Sequence, residues 1–360
     1  MKEDIYKIPY IKLFIFLVLI ILLLIAILLI AKLGFILEYI VIFLKSIFLP
    51  FIIALVIAYL LNPLVTILNG NNRIPRSIAV LLIYIIFFGS ITIILINAMP
   101  KLITEVKGLI EYFPNMFEKL NNWFVDLRNN SSNQLPGTFQ ESINLAINNI
   151  ETKITKGFSD IILYIGNTIN ILITIVLVPF ITFYLLVDYQ VLEKTIITFV
   201  PKKERKKFIR IARDIDEALG NYIRGQLIVC LIIGILAYIG YLIIKLPYAL
   251  VFAVIVAITN VIPYLGAYIG ATPAILVGLS ISWHMGASVF IVNMIIQLIE
   301  SNVISPQIVG KKLHMHPLFI IIALMIGGKL AGIIGLIFAV PIFAILRVIA
   351  QHLSAYYLER

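Results

Sequence analysis

Charged residues fall in clusters along this chain, and the stretches between them carry none: 13–31, 46–72, 77–100, 161–187, 225–244, 246–299, 313–328 and 330–346. A bilayer core about 30 Å thick takes around 20 apolar residues of helix, so most of these stretches predict spans. The expected fold is all-α, a polytopic integral membrane protein with about eight transmembrane helices plus re-entrant or discontinuous helical hairpins. Two intervals that do carry charge predict amphipathic helices instead. In 101–160, Leu102, Val106, Leu109, Phe113, Leu120, Trp123 and Leu127 recur at helical spacing, and Phe139, Ile143, Ile147, Ile150, Ile154 and Phe158 do so after a turn-like NNSSNQLPG. Such a helical hairpin must cover its apolar stripes, against each other or against neighbouring subunits. In 188–224, Pro201 opens a helix with the stripe Phe208, Ile211, Ile215, Leu219 and Tyr222.

Composition turns that pattern into a class. Hydrophobic residues make up 62% of the 360, charged residues 13%, and the mean hydropathy is +1.08, far from the roughly 25% charged of a soluble domain. The first stretch, Leu13 to Ala31, is too long for a signal-peptide core and reads as an uncleaved span. Cys230 is the one cysteine, so no disulfide framework is expected. The formal charge of +10 points to anionic lipid and cytoplasmic loops, not to nucleic acid.

Orientation follows from where the basic residues gather. PKKERKKFIRIAR (201–213) holds Lys202, Lys203, Arg205, Lys206 and Lys207 in its first turns, a basic patch expected at the lipid headgroups. Placing both termini, 62–76, 188–224 and 305–316 in the cytoplasm collects nearly every basic cluster there. The expected plan is then spans one to three in 1–100, an external helical hairpin in 101–160 and span four in 161–187. The basic interfacial helix occupies 188–224, a transport region with broken helices 225–350, and a cytoplasmic tail 351–360.

The last third is where chemistry concentrates. Between Lys245 and Lys311 the sole formal charge is Glu300, yet Pro247, Pro263, Pro273 and Pro306 interrupt the apolar run. TNVIPYLGAYIGATP (259–273) sets Asn260, Pro263 and Gly266 in its middle. Proline removes a donor, and backbone left unpaired in hydrocarbon costs several kcal/mol unless protein or water meets it. Such breaks are where transporters hold substrates. A second pair of short stretches, 313–328 and 330–346, flanks GGKLAG, so Gly327, Gly328, Lys329 and Gly332 are read as a hairpin tip. Glu300 is the sharpest feature, because an intramembrane carboxylate marks a functional site by default. Asn293, Gln297 and Glu300 stand at i, i+4 and i+7, one polar stripe on an apolar helix, with Gln307 beyond. The stripe lines a translocation path, or else Glu300 lies near the interface and pairs with Lys311, Lys312 or the basic residues of 202–213. His314 and His316 diverge on a helix and lack companions for zinc. No cofactor is expected.

Taken together, PFIIALVIAYLLNPLV (50–65), IPRSIAVLL (74–82), YIRGQL (222–227), NVIPYLGAYIG (260–270) and QLIESNVISPQIVGKKLHMHPL (297–318), leading to GGKLAGIIGLIFAVPIFAI (327–345), resemble the autoinducer-2 exporter family of bacterial membrane proteins. That resemblance implies a homo-oligomeric transporter of the cell membrane, expected to be a pentamer, whose C-terminal third moves against an oligomerising scaffold in an elevator-type motion. Gln297, Glu300, Pro306 and Pro317 match its Q-x-x-E…P…HP pattern, and Pro263 and Gly266 its P-x-x-G break. It implies export of the quorum-sensing signal autoinducer-2, or sodium–proton antiport.

Three functions stay open at this point. The first is a secondary transporter exporting a small polar solute by alternating access, with H+ or Na+ as possible coupling ion. The second is cation–proton antiport on Glu300, and the third a non-transporting membrane scaffold. No G-x-x-x-x-G-K-[ST] motif supplies ATP binding. No H-E-x-x-H, Ser–His pair or aspartate pair lies within the spans to make an enzyme.

Overall fold

A computed structural model describes residues 50–70, 74–130, 168–310 and 317–358, with a few isolated positions in 18–48 and 145–157. The expected first span, the second external helix (139–158) and His314, His316, Lys311 and Lys312 therefore lie outside the described residues. Every described element is helical. They are α1 (Pro50–Asn69), α2 (Arg76–Asn130), α3 (Thr168–Val187), α4 (Tyr189–Thr198), α5 (Arg205–Ile243), α6 (Ala249–Thr259), α7 (Gly266–Ile281), α8 (Trp283–Ile299) and α9 (Pro317–Leu358). Among the described residues five helices are long and apolar enough to cross a membrane, or six when α3 and α4, bent by 73° at Asp188, count as one span.

Two expected boundaries vanish into continuous helix. The external helix was expected to begin after residue 100, yet α2 runs 55 residues through Pro100 and Pro114, about 80 Å at 1.5 Å per residue. Part of its stripe is covered within the chain. Val106, Leu109, Phe113 and Met116 are buried in one cluster with residues of α5 to α8. Likewise the basic helix expected at 188–224 is no separate unit, because α5 carries residues 205–224 straight on into the apolar 225–243.

Two large cores result. The smaller joins α1, the start of α2 and α3 through Leu61, Val65, Ala79, Val80, Ile83 and Leu186. The larger joins the middle of α2, from Val106 to Met116, to α5, α6, α7 and α8 around Ile233, Ala237, Tyr241, Phe252, Val256, Ala274, Val277 and Val289. Small residues let these helices approach closely, as expected where lipid removes the hydrophobic drive between helices: a Cβ on Gly240 would meet Val292 at 2.6 Å, and one on Gly234 would meet Ala257 at 2.7 Å. Hydrogen bonds also tie elements far apart in sequence. The Glu105 carboxylate of α2 accepts the backbone N–H groups of Leu250 and Val251 at 3.0 and 3.1 Å, capping α6 at its positive end.

By length alone 318–354 passes as one span, but the chain reverses within it. Gly332 takes φ 59° and ψ −135°, a conformation essentially reserved for glycine. Phe319 stacks on Phe343, and a Cβ on Gly327 would meet the Gly335 carbonyl oxygen at 2.4 Å. Both pairs are equidistant from residue 331. The arms of α9 are therefore antiparallel, and Gly327, Gly328 and Lys329 lie just before the turn, with Lys329 exposed. The arm up to residue 330 measures about 21 Å.

Candidate functional site

The backbone between α6 and α7 stops being helical at 260–265. Pro263 has no N–H to offer, and Tyr264 adopts a left-handed φ of 65°. The carbonyl of Asn260 then needs a partner from elsewhere. Gln226 of α5 provides it, its amide nitrogen donating to that oxygen at 2.6 Å. Gly266 lets α7 start hard against the end of α6, where a Cβ would sit 2.0 Å from the Thr259 carbonyl oxygen. The prolines differ in effect: Pro263 lies in the break, whereas Pro273 is accommodated inside α7.

Onto this break comes Glu300. At the end of α8 the helix widens into two π-helical turns, Glu300–Ile304 and Pro306–Gly310, a distortion frequent at functional sites. The Glu300 side chain is 6% exposed and Asn260 is 1% exposed. The Asn260 amide nitrogen donates to Glu300 Oε1 at 3.0 Å. An ionised carboxylate can only accept, so the amide must turn its nitrogen that way and its oxygen away. Asn260 Oδ1 and Glu300 Oε2 are left without a partner, and so, one turn earlier on α8, is the buried Gln297 Oε1. Every orphan is an acceptor. Leaving such groups bare in an apolar interior costs about 1–3 kcal/mol each, more for a charge, so chemically these atoms suit a group that brings positive charge or donors. Among the described residues no cation of the protein pairs with Glu300.

The other candidates separate from this cluster. Asn293 is spent on packing, accepting from the Tyr241 hydroxyl at 2.9 Å and donating to the Val289 carbonyl at 2.8 Å. Pro306 and Gln307 are exposed, Pro306 opening the second π-helical turn. Lys202, Lys203 and Lys206 are exposed at the start of α5, Lys207 is half-buried, and Arg205 folds back onto the Val200 carbonyl at 3.0 Å. Sequence reasoning missed Gln226, which is 8% exposed. The available signal was a lone glutamine at the start of the apolar 225–243, where α5 leaves its charged first half.

The chain is similar in sequence to known transport proteins. Residues 11–355 match the AI-2E family transporter sequence family. The "Putative transport protein YrrI" of Bacillus subtilis is 39% identical over 309 residues, 86% of this chain and 87% of that protein. The "Putative transport protein YueF" of the same organism is 33% identical over 326 residues, 88% and 87% of the two chains. The "Putative permease PerM" of Escherichia coli K12 is 28% identical over 321 residues, covering 86% and 88%. With its interrupted helices and apolar spans, the chain is a multi-pass membrane protein that belongs to the AI-2E family of transporters.

Proposed function

We propose that this protein is a secondary transporter that carries a monovalent cation, H+ or Na+, on Glu300, Asn260 and Gln297. The observation that carries the reading is the set of three buried, unpartnered oxygen atoms on those residues. A proton on Glu300 Oε2 turns an orphan acceptor into a donor for a neighbouring oxygen. A sodium ion instead takes ligands from all three oxygens, the hard donors that such ions choose. Either occupant neutralises a carboxylate that stands without a counter-charge.

Movement of the cation needs the site to open to each side in turn. The break at 260–265 and the π-helical turns at 300–310 are the two places near it where helix is interrupted, and such interruptions are tolerated at membrane depth where they line a cavity. The α9 hairpin reaches the break, since Ile262 is buried with Ala323, Leu324 and Ala339. In this reading the hairpin and the α6–α7 break form the closing element over Glu300. Residues 101–160 face outward and 188–224 the cytoplasm, following the basic clusters. The export of a polar solute and cation exchange share this seat and differ in what returns across it.

The test is flux in proteoliposomes loaded with a pH-sensitive dye, with and without a sodium gradient. Wild-type protein is expected to move protons when sodium is supplied on one side, and Glu300→Gln to reduce that signal by about 100-fold, the scale of a lost charge-assisted contact. Undiminished flux in correctly folded Glu300→Gln protein overturns the reading. Proton movement only when a polar solute is supplied assigns the seat to solute coupling.

A further inference from the structure

A second feature lies away from Glu300, at the elbow where α3 turns into α4. Here α1, α4 and α5 enclose a cavity of about 300 Å³, lined mainly by apolar side chains including Leu55, Ala58, Leu192, Ile196, Ile209 and Ala212. Its polar lining is Asn62, Glu193, Arg213 and Asp216, and Asp216 accepts from the Tyr59 hydroxyl at 2.8 Å and the Tyr189 hydroxyl at 3.4 Å, which leaves the headgroup to the basic stripe outside. α4 has no buried residue, and Val191, Leu192, Ile196 and Phe199 are 61%, 42%, 55% and 84% exposed. Gln190, Glu193 and Lys194 share this helix, so its uncovered apolar side chains, and not the whole helix, call for hydrocarbon.

The charge beside the cavity selects the kind of hydrocarbon. On α5, Ile209, Ala212 and Asp216 stand at i, i+3 and i+7 and face the cavity. Lys206, Arg210 and Arg213 stand at i, i+4 and i+7 on the adjoining face, all exposed, and Arg213 also lines the cavity. Lys202 and Lys203, also exposed, lie one turn before. We infer that this elbow is a binding site for one anionic phospholipid, an acyl chain entering the cavity while the phosphate lies on Lys202, Lys203, Lys206, Arg210 and Arg213. The apolar lining accepts the chain, and the basic stripe favours an anionic headgroup over a zwitterionic one. The lipid would brace the α3–α4 elbow against α1 and α5, independently of what Glu300 carries.

The experiment compares phosphatidylglycerol with phosphatidylcholine on the detergent-purified full chain, by native mass spectrometry and thermal melting. Phosphatidylglycerol is expected to stay bound through delipidation and to raise the Tm by about 5 °C over phosphatidylcholine. The combined change Lys202→Gln, Lys203→Gln, Lys206→Gln and Arg210→Gln, all at exposed positions, is expected to cut phosphatidylglycerol retention by about tenfold. Ala212→Trp, which fills the cavity, is expected to cut it equally. Equal retention of the two lipids overturns the site, as does wild-type retention by the folded Ala212→Trp protein. Should Ala212→Trp fail to fold, a photoreactive residue at position 209 decides. Crosslinking to phospholipid supports the site, while crosslinking to residues before 50 or to a second copy of the chain overturns it.

Discussion

The two large cores of this molecule are built from similar apolar material and treat their polar groups in opposite ways. Around the smaller core, Arg76 donates to the Leu186 carbonyl at 2.6 Å and to Asn62 Oδ1 at 3.0 Å. Tyr84 donates to the Pro179 carbonyl and Thr182 to the Val178 carbonyl, at 2.8 and 2.7 Å. Each of these side chains has found a partner, as buried polar groups in a purely structural core do. The larger core gathers an amide, a second amide and a carboxylate and leaves an acceptor on each of them bare. Packing alone gives no reason to put those groups there. The contrast separates a part of the protein whose polar groups are spent on holding shape from a part that leaves acceptors unpaired, the part to which the proposed function assigns a bound cation. α2 belongs to both, with Pro100 lying between its two contact regions and removing one intrahelical hydrogen bond.

Substitutions can break this contrast, and the largest effect is expected at the α9 hairpin. A Cβ at Gly335 would lie 1.8 Å from the Gly327 carbonyl oxygen, so Gly335→Val is expected to destabilise by more than about 3 kcal/mol. A Tm within a degree of wild type would show that the arms are not packed as described. Next comes Leu61→Ala in the smaller core, where the side chain is 1% exposed. A loss of about 3 kcal/mol is expected on thermal melting, with the flux of the surviving folded protein unchanged. Glu105→Ala removes the cap on α6 and is expected to cost about 1 kcal/mol; hydrogen exchange at Leu250 and Val251 should rise with it, and unchanged protection there would dismiss the cap. The smallest stability effect is predicted where function is lost most completely. Glu300→Met should stay within about 1 kcal/mol of wild type, because removing a buried unpaired charge offsets the Asn260 donor that it leaves bare. A large stability loss in that variant would make Glu300 a structural residue and erase the distinction between the cores.

Several of these features could be read without coordinates, for a local reason. Asn260, Pro263 and Gly266 within an apolar run announce a break through proline chemistry alone, and GGKLAG announces a turn through glycine. Glu300 stands out as the sole charge in its interval. Other features resisted reading. A proline at 100 beside a charged interval looks like a boundary, yet a long helix can absorb one lost hydrogen bond when neighbours pack on both sides of it. The stripe of Leu102, Val106, Leu109 and Phe113 was legible as apolar, while its covering partner was not, since periodicity names a face and never its neighbour. Asn293 fell on the same stripe as Glu300 and turned out to serve helix packing through Tyr241.

By itself the sequence determined an all-helical chain embedded in lipid, interrupted near 260 and 330, with one acid deep in its last third. Those properties reside in short windows: apolar content per helix length, and residues that cannot continue a helix. Only the tertiary structure decided that Gln226, Asn260 and Glu300 meet, the first pair 34 and the second 40 residues apart in the chain. It also decided that Asn260 and Glu300 each keep one bare oxygen where they meet. Contacts at such separations follow from how helices lie against one another, and the packing of α5, α6 and α8 leaves no spacing rule along the chain.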